Sequence, residues 1–107
     1  MPQQVKPNSM PYSLEAEQSI LGSILIDMEL QFEIMTKLKE DDFYLESHKL
    51  IFSGMQSVFA SNVPVDLVTL SDAMEKSATL DKAGGIDYLT SLARMTPSAA
   101  NYAYYLD

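Results

Sequence analysis

Apolar residues recur along this chain at three- and four-residue intervals, the spacing of helix faces rather than of strands. The first run follows Pro11 and Ser13. Ser13 is placed to cap a helix, and Glu15 and Glu17 suit the positive end of its dipole. At 100° per residue, Leu14, Leu21, Ile24, Leu25 and Met28 share one face. Glu17 falls on that same face, so it is expected to be paired or close enough to the helix end to reach water. Gly22 lies on the flank beside Ser19. A glycine inside a helix costs about 1 kcal/mol against alanine, and close approach of a neighbouring helix is the expected reason for it.

Asp27 can cap a second helix running through about Lys39, with Leu30, Ile34, Met35 and Leu38 inward and Lys37 and Lys39 at its negative end. The stretch DDFYLESHKLIF, residues 41–52, follows. Asp41 or Asp42 can cap a short turn that tucks Phe43 and Tyr44 inward. Ser47 can cap a third helix over roughly residues 48–60, whose stripe is Ile51, Phe52, Met55, Val58 and Phe59. SNVPVD reads as a turn and an extended link. Thr69 then caps a short fourth helix, with Asp72 at its third position and Leu70, Ala73 and Met74 inward. KSATLDKAGG is a loop. Ile86, Leu89 and Ala93 make the stripe of a fifth helix that ends before Thr96-Pro97, and Ser98 starts a sixth that is cut off at Asp107 without a stop signal. The expected fold is all-α: a compact bundle of about six short helices over residues 11–107, preceded by a flexible tail over residues 1–10.

Composition narrows the function. The chain has 107 residues, and 47% of them are of the hydrophobic class, which fits one globular domain. With no cysteine, disulfides and thiolate metal sites are excluded. No apolar run approaches the ~18 residues of a membrane span, and the first ten residues lack the apolar core of a signal peptide. A cytoplasmic protein without a membrane partner is the simplest expectation. The net charge is −8, and the seven basic residues form no cluster. Nucleic-acid binders neutralise phosphates with clustered Lys and Arg, so direct binding of DNA or RNA by this chain is not expected. An acidic surface instead aids solubility or meets basic proteins.

The one histidine, His48, stands among carboxylates: Asp41, Asp42 and Glu46. Acids beside a histidine can bind a metal or move protons. Yet positions 48, 51, 52 and 55 share a helix face, which points His48 at the core near a helix N-terminus, where an uncharged, hydrogen-bonded imidazole is favoured. A lone histidine without cysteine is a poor metal site, and Asp41 and Asp42 are better explained as caps. Gly84-Gly85 with Lys82 nearby hints at a phosphate cradle, but the full phosphate-loop pattern is absent. No serine sits in a nucleophile elbow. The residues therefore give no catalytic, metal or cofactor site, and assign structural roles to Gly22, Phe43, His48 and Phe52.

The blocks SLEAEQSILGSIL, DDFYLESHKLIF, VPVDLVTL, GGIDYL and TPSAANYAYY occur in this order with short spacers. Together they resemble the N-terminal domain of bacterial replicative hexameric DNA helicases of the DnaB type, over about residues 11–107. The resemblance implies a helical head joined, in a full subunit, to a helical hairpin, a linker and a RecA-like ATPase that uses ATP and Mg to unwind DNA at the fork. Such heads form a collar, commonly a trimer of dimers, that supports the ring and receives the primase C-terminal domain. Other helicase subunits and primase are thus the implied partners, this chain alone being expected as a monomer or weak dimer. The ATPase motifs would lie beyond residue 107, so the chain itself is expected to be no enzyme. Glu15, within LEAEQ, resembles in position an acidic residue implicated in primase contact; it also suits a first helical turn. Tyr88 lies about 200° around its helix from Ile86, opposite the apolar stripe, and as an outward aromatic is a candidate anchor. Two rivals stand beside this reading: a free-standing acidic helical adaptor, and a small metal-dependent hydrolase centred on His48, Asp41 and Asp42.

Overall fold

The structure is a computed structural model, and it describes residues 13–95. The expected sixth helix from Ser98 and the tail over residues 1–10 lie outside the described residues. Five helices are described: α1 (Leu14–Ile26), α2 (Met28–Lys37), α3 (Glu46–Ala60), α4 (Leu67–Lys76) and α5 (Gly85–Met95), with single 3₁₀ turns at Glu40–Asp42 and Asp81–Ala83. No strand occurs among the described residues. The described residues are all-helical, as their periodicity requires.

Local signals set most of the helix ends. Ser13 Oγ accepts from the Ala16 amide at 3.1 Å and starts α1. Asp27 adopts an extended φ of −139°, which ends α1, and its carboxylate accepts from the Glu29 amide, which starts α2. This break explains why Met28 is 66% exposed instead of continuing the α1 stripe. Leu14, also expected inward, is 43% exposed at the first turn. The second helix stops at Lys37, two residues earlier than expected, and Leu38 is buried just past it.

Three caps differ from expectation. The 3₁₀ turn Glu40–Asp42 has Lys39 as its cap residue, so Asp41 and Asp42 lie inside it. Helix α3 starts at Glu46 with Leu45 as its cap residue and no side-chain cap, so Ser47 lies inside the helix. Helix α4 is capped by Asp66, not Thr69. The Asp66 carboxylate accepts from the Thr69 amide, and Thr69 Oγ1 accepts from the Asp66 amide, both at 2.9 Å. Thr69 is the reciprocal partner, three positions inside the cap.

The core is made where α1 packs on α5 and α2, and α3 packs on α4. Phe52, Leu21, Ile24, Ile34, Ile51 and Met55 are among its fully enclosed side chains. Phe43 is buried against Phe52, ring centroids 5.0 Å apart. Tyr44, expected to turn in with it, is 69% exposed. Gln31 is a buried polar residue at the α1–α2 corner. Its amide nitrogen donates to the carbonyls of Ile24 and Val65, and its oxygen accepts from the Val65 amide. One side chain thereby satisfies the backbone of the extended link before α4. Gly22 is buried on α1. A close helix approach is documented at Gly54 of α3, where a Cβ would stand 2.9 Å from Met74 Cγ on α4.

Helix α5 is rotated from its expected phase. Leu89 and Leu92 are its fully buried residues, Ile86 is 45% exposed and Ala93 is half-buried. The expected stripe holds at Leu89, but taking Ile86 as an inward mark set its centre roughly 60° from the midpoint of Leu89 and Leu92. With Leu92 as its centre, the inward arc takes in Leu89 and Tyr88.

Candidate functional site

Side chains from α1 and α5 converge on the ring of His48. Its position follows from the α3 stripe: the face carrying Ile51, Phe52 and Met55 carries His48 one turn earlier, and the ring is fully buried. The edge of that ring is packed against Phe43, at 84° and 6.5 Å between centroids. A buried imidazole needs partners for both nitrogens. Glu17, the carboxylate that fell on the apolar face of α1, supplies one: its Oε1 lies 2.7 Å from His48 Nδ1. Its Oε2 accepts from the Tyr44 backbone amide at 2.6 Å. The second nitrogen, Nε2, lies 2.6 Å from the hydroxyl of Tyr88 on α5. That hydroxyl also accepts from Gln18 Nε2 at 3.2 Å.

One neutral tautomer satisfies every contact. With its proton on Nδ1, His48 donates to the Glu17 carboxylate, and Nε2 accepts from the Tyr88 hydroxyl, whose oxygen remains open to the Gln18 amide. The bonds form a directed chain from Gln18 to Tyr88, to His48, to Glu17, with the Tyr44 amide closing the far end. Each donor has an acceptor, so charge and polarity are buried without an orphan.

Carboxylate, imidazole and hydroxyl in this order are also the ingredients of a nucleophile triad. A nucleophile needs an open approach to its oxygen. The Tyr88 oxygen is held between His48 and Gln18, and Tyr88 packs against the hydrophobic core. The arrangement fixes a phenol rather than activating one. Nor does the metal-dependent alternative find its site: both His48 nitrogens are engaged, and among the described residues no three His, Asp or Glu side chains stand together to hold a metal ion. Asp42 accepts from the Lys39 amide at the 3₁₀ turn, and Asp41 lies 3.8 Å from Lys49.

Tyr88 therefore departs from the outward anchor expected of it. It is partly buried, and its hydroxyl turns toward His48. The cause is the phase of α5, since the side opposite Ile86 is the side that faces α1. Gly84 adds to the fit. Its φ of +108° ends the 3₁₀ turn in the left-handed region, and a Cβ there would meet Tyr88 Cβ at 2.7 Å. The two glycines serve a tight turn under Tyr88; the backbone needs φ > 0 at both. Glu15 is exposed on the first turn of α1, two residues from Glu17 and three from Gln18. The tie between Tyr88 and His48 was legible only in part, because Glu17 on an apolar face signalled a buried partner without naming it.

The fold and this network can be set beside known proteins. The family model described as the DnaB-like helicase N-terminal domain matches residues 9–107. The chain belongs to that family. The replicative DNA helicase DnaB of Buchnera aphidicola subsp. Baizongia pistaciae is 43% identical over 98 residues, which cover 92% of this chain and 21% of that protein. The DnaB of Haemophilus influenzae is 38% identical over 97 residues, 91% of this chain and 21% of its own length. The crystal structure of the N-terminal domain of DnaB helicase from Mycobacterium tuberculosis superposes with a TM-score of 0.83 at 31% identity, covering 90% of this chain and 67% of that one. The chain spans about a fifth of the length of the curated helicases it matches. Within the DnaB-like family it thus corresponds to the N-terminal helical domain. No helix among the described residues is long and apolar enough to cross a membrane.

Proposed function

We propose that this chain is the collar and docking domain of a replicative DNA helicase, and that it receives the primase C-terminal domain on a surface made by the first turn of α1 and by α5. The whole protein, on this reading, is a cytoplasmic hexamer that unwinds DNA with ATP and Mg, while this domain contributes assembly and recruitment rather than catalysis. A net charge of −8 suits a surface that meets proteins and repels phosphate backbones. The observation that carries the docking reading is the Gln18–Tyr88 hydrogen bond, which sets the start of α1, with exposed Glu15, directly against α5.

The test is titration of the chain with the primase C-terminal domain at two salt concentrations. Removing an aromatic anchor typically costs about 2 kcal/mol or more of binding, so Tyr88→Ala should lower affinity by about 30-fold. A charge at the rim acts mainly through association rate and salt dependence, so Glu15→Ala should weaken binding modestly, with a loss that shrinks as salt rises. Because Tyr88 is tied to His48, Tyr88→Ala should also lower the melting midpoint, and binding must be read well below it. Parental affinity in folded Tyr88→Ala would remove this surface from the proposal.

A further inference from the structure

Three features were candidates for a role beyond docking: the groove of about 470 Å³ between α3 and α4, the exposed Met28–Phe32 face of α2, and the buried chain that ends on Tyr88. The groove is bordered by an internal ion pair, Asp72–Lys76, and nothing in the structure names an occupant for it or for the α2 face. The buried chain carries an inference.

We propose that His48 is a positioning residue for the docking surface: it holds the Tyr88 ring in the one orientation that, through Gln18, joins α5 to the start of α1. The inference rests on the docking reading above. His48 itself is fully buried and cannot touch a partner. Its influence must pass through the 2.6 Å bond to the Tyr88 hydroxyl. The ring behind that bond is held by its neighbours. Glu17 fixes Nδ1 at 2.7 Å, the Tyr44 amide fixes Glu17, and Phe43 packs on the imidazole edge. His48 and Tyr88 rings lie within 6° of parallel. The phenol is thus anchored to three elements of the fold, the first turn of α1, the start of α3 and α5, while part of its surface stays open. A docking residue held in one rotamer has already given up the freedom it would otherwise lose on binding.

The imidazole can be divided chemically. In His48→Asn the side-chain amide nitrogen takes the place of Nδ1 and keeps Glu17, leaving the Tyr88 hydroxyl without its acceptor. In His48→Gln the amide oxygen reaches the place of Nε2 and keeps Tyr88, while Glu17 loses its donor. Both variants should lose stability. Only the first should release the phenol, and a side chain freed in this way weakens binding by about two- to tenfold. The experiment is calorimetric titration of the 107-residue chain and its variants with the primase C-terminal domain, each well below its own melting midpoint. The expected result is weaker binding for His48→Asn and near-parental binding for His48→Gln. Equal binding losses in both would show that packing alone is at work and overturn the proposal. Parental affinity in both, with Tyr88→Ala defective, would overturn it and leave the docking reading intact. Parental affinity in Tyr88→Ala would sink the two together. Should His48→Asn not fold, Tyr88→Phe keeps the ring packed and removes the same bond; weakening of similar size is expected there, and parental affinity is the contradicting result.

Discussion

Among the described residues, the polar nodes built on Gln31 and on His48 are both buried, and they are closed in different ways. At the α1–α2 corner, Gln31 spends its whole amide on backbone atoms, the carbonyls of Ile24 and Val65 and the amide of Val65. At the α1–α3–α5 junction, Glu17, His48, Tyr88 and Gln18 spend theirs mainly on one another, side chain to side chain. The first node ends inside the fold. The second ends on a phenol that is partly open to solvent. A backbone-directed node can serve only architecture, because nothing beyond the fold reads its state. A side-chain chain that reaches the surface can pass the order of the core to whatever binds there. On the proposed docking reading, only the second node reaches the surface that primase would meet.

The comparison can be broken in graded ways. The largest effect should come from His48→Ala, which empties a fully buried site and leaves the Glu17 carboxylate with only one of its two donors. An unpaired buried group costs about 1–3 kcal/mol and more when it is charged, so with the cavity a loss of about 3 kcal/mol or more is expected in urea unfolding. Gln31→Leu should cost less, about 2–3 kcal/mol, from the backbone groups it leaves unpaired. It should leave primase binding unchanged at temperatures where the variant is folded. A binding defect there would erase the distinction between the nodes. The smallest effect belongs to neither node. Ala78 sits at φ 61°, where a side chain is strained, so Ala78→Gly should stabilise the domain by about 1 kcal/mol with no change in binding. That variant calibrates stability against affinity for the others.

Much of this was readable in the sequence because it depends on local rules. Ser13 and Asp27 cap the helices they precede, and the α3 stripe of Ile51, Phe52 and Met55 carried His48 inward with it. Glu17 on an apolar face called for either a partner or reach to water, and the fold supplies the partner. The misplaced features depend on tertiary choice. Helix α5 offers Ile86, Leu89, Leu92 and Ala93 as apolar residues, and two phases satisfy three of them. Packing on α1 selects the phase that buries Leu92, half-buries Tyr88 and exposes Ile86. Thr69 and Asp66 are both capping types, and only the geometry of the extended link decides which stands at the helix start. Gln31 gave no signal, because its partners are backbone atoms up to 34 positions away.

His48 joins a buried carboxylate to Tyr88, the tyrosine proposed for docking, and it is the chain's single histidine. The direct measurement is ¹⁵N NMR of the His48 side chain in the parent and in Tyr88→Phe. The account expects a proton on Nδ1 and a hydrogen-bonded lone pair on Nε2 in the parent. In Tyr88→Phe the Nε2 resonance should move strongly while the Nδ1 proton stays with Glu17. A parent in which Nε2 carries the proton, or an Nε2 resonance indifferent to the loss of the Tyr88 hydroxyl, would contradict it.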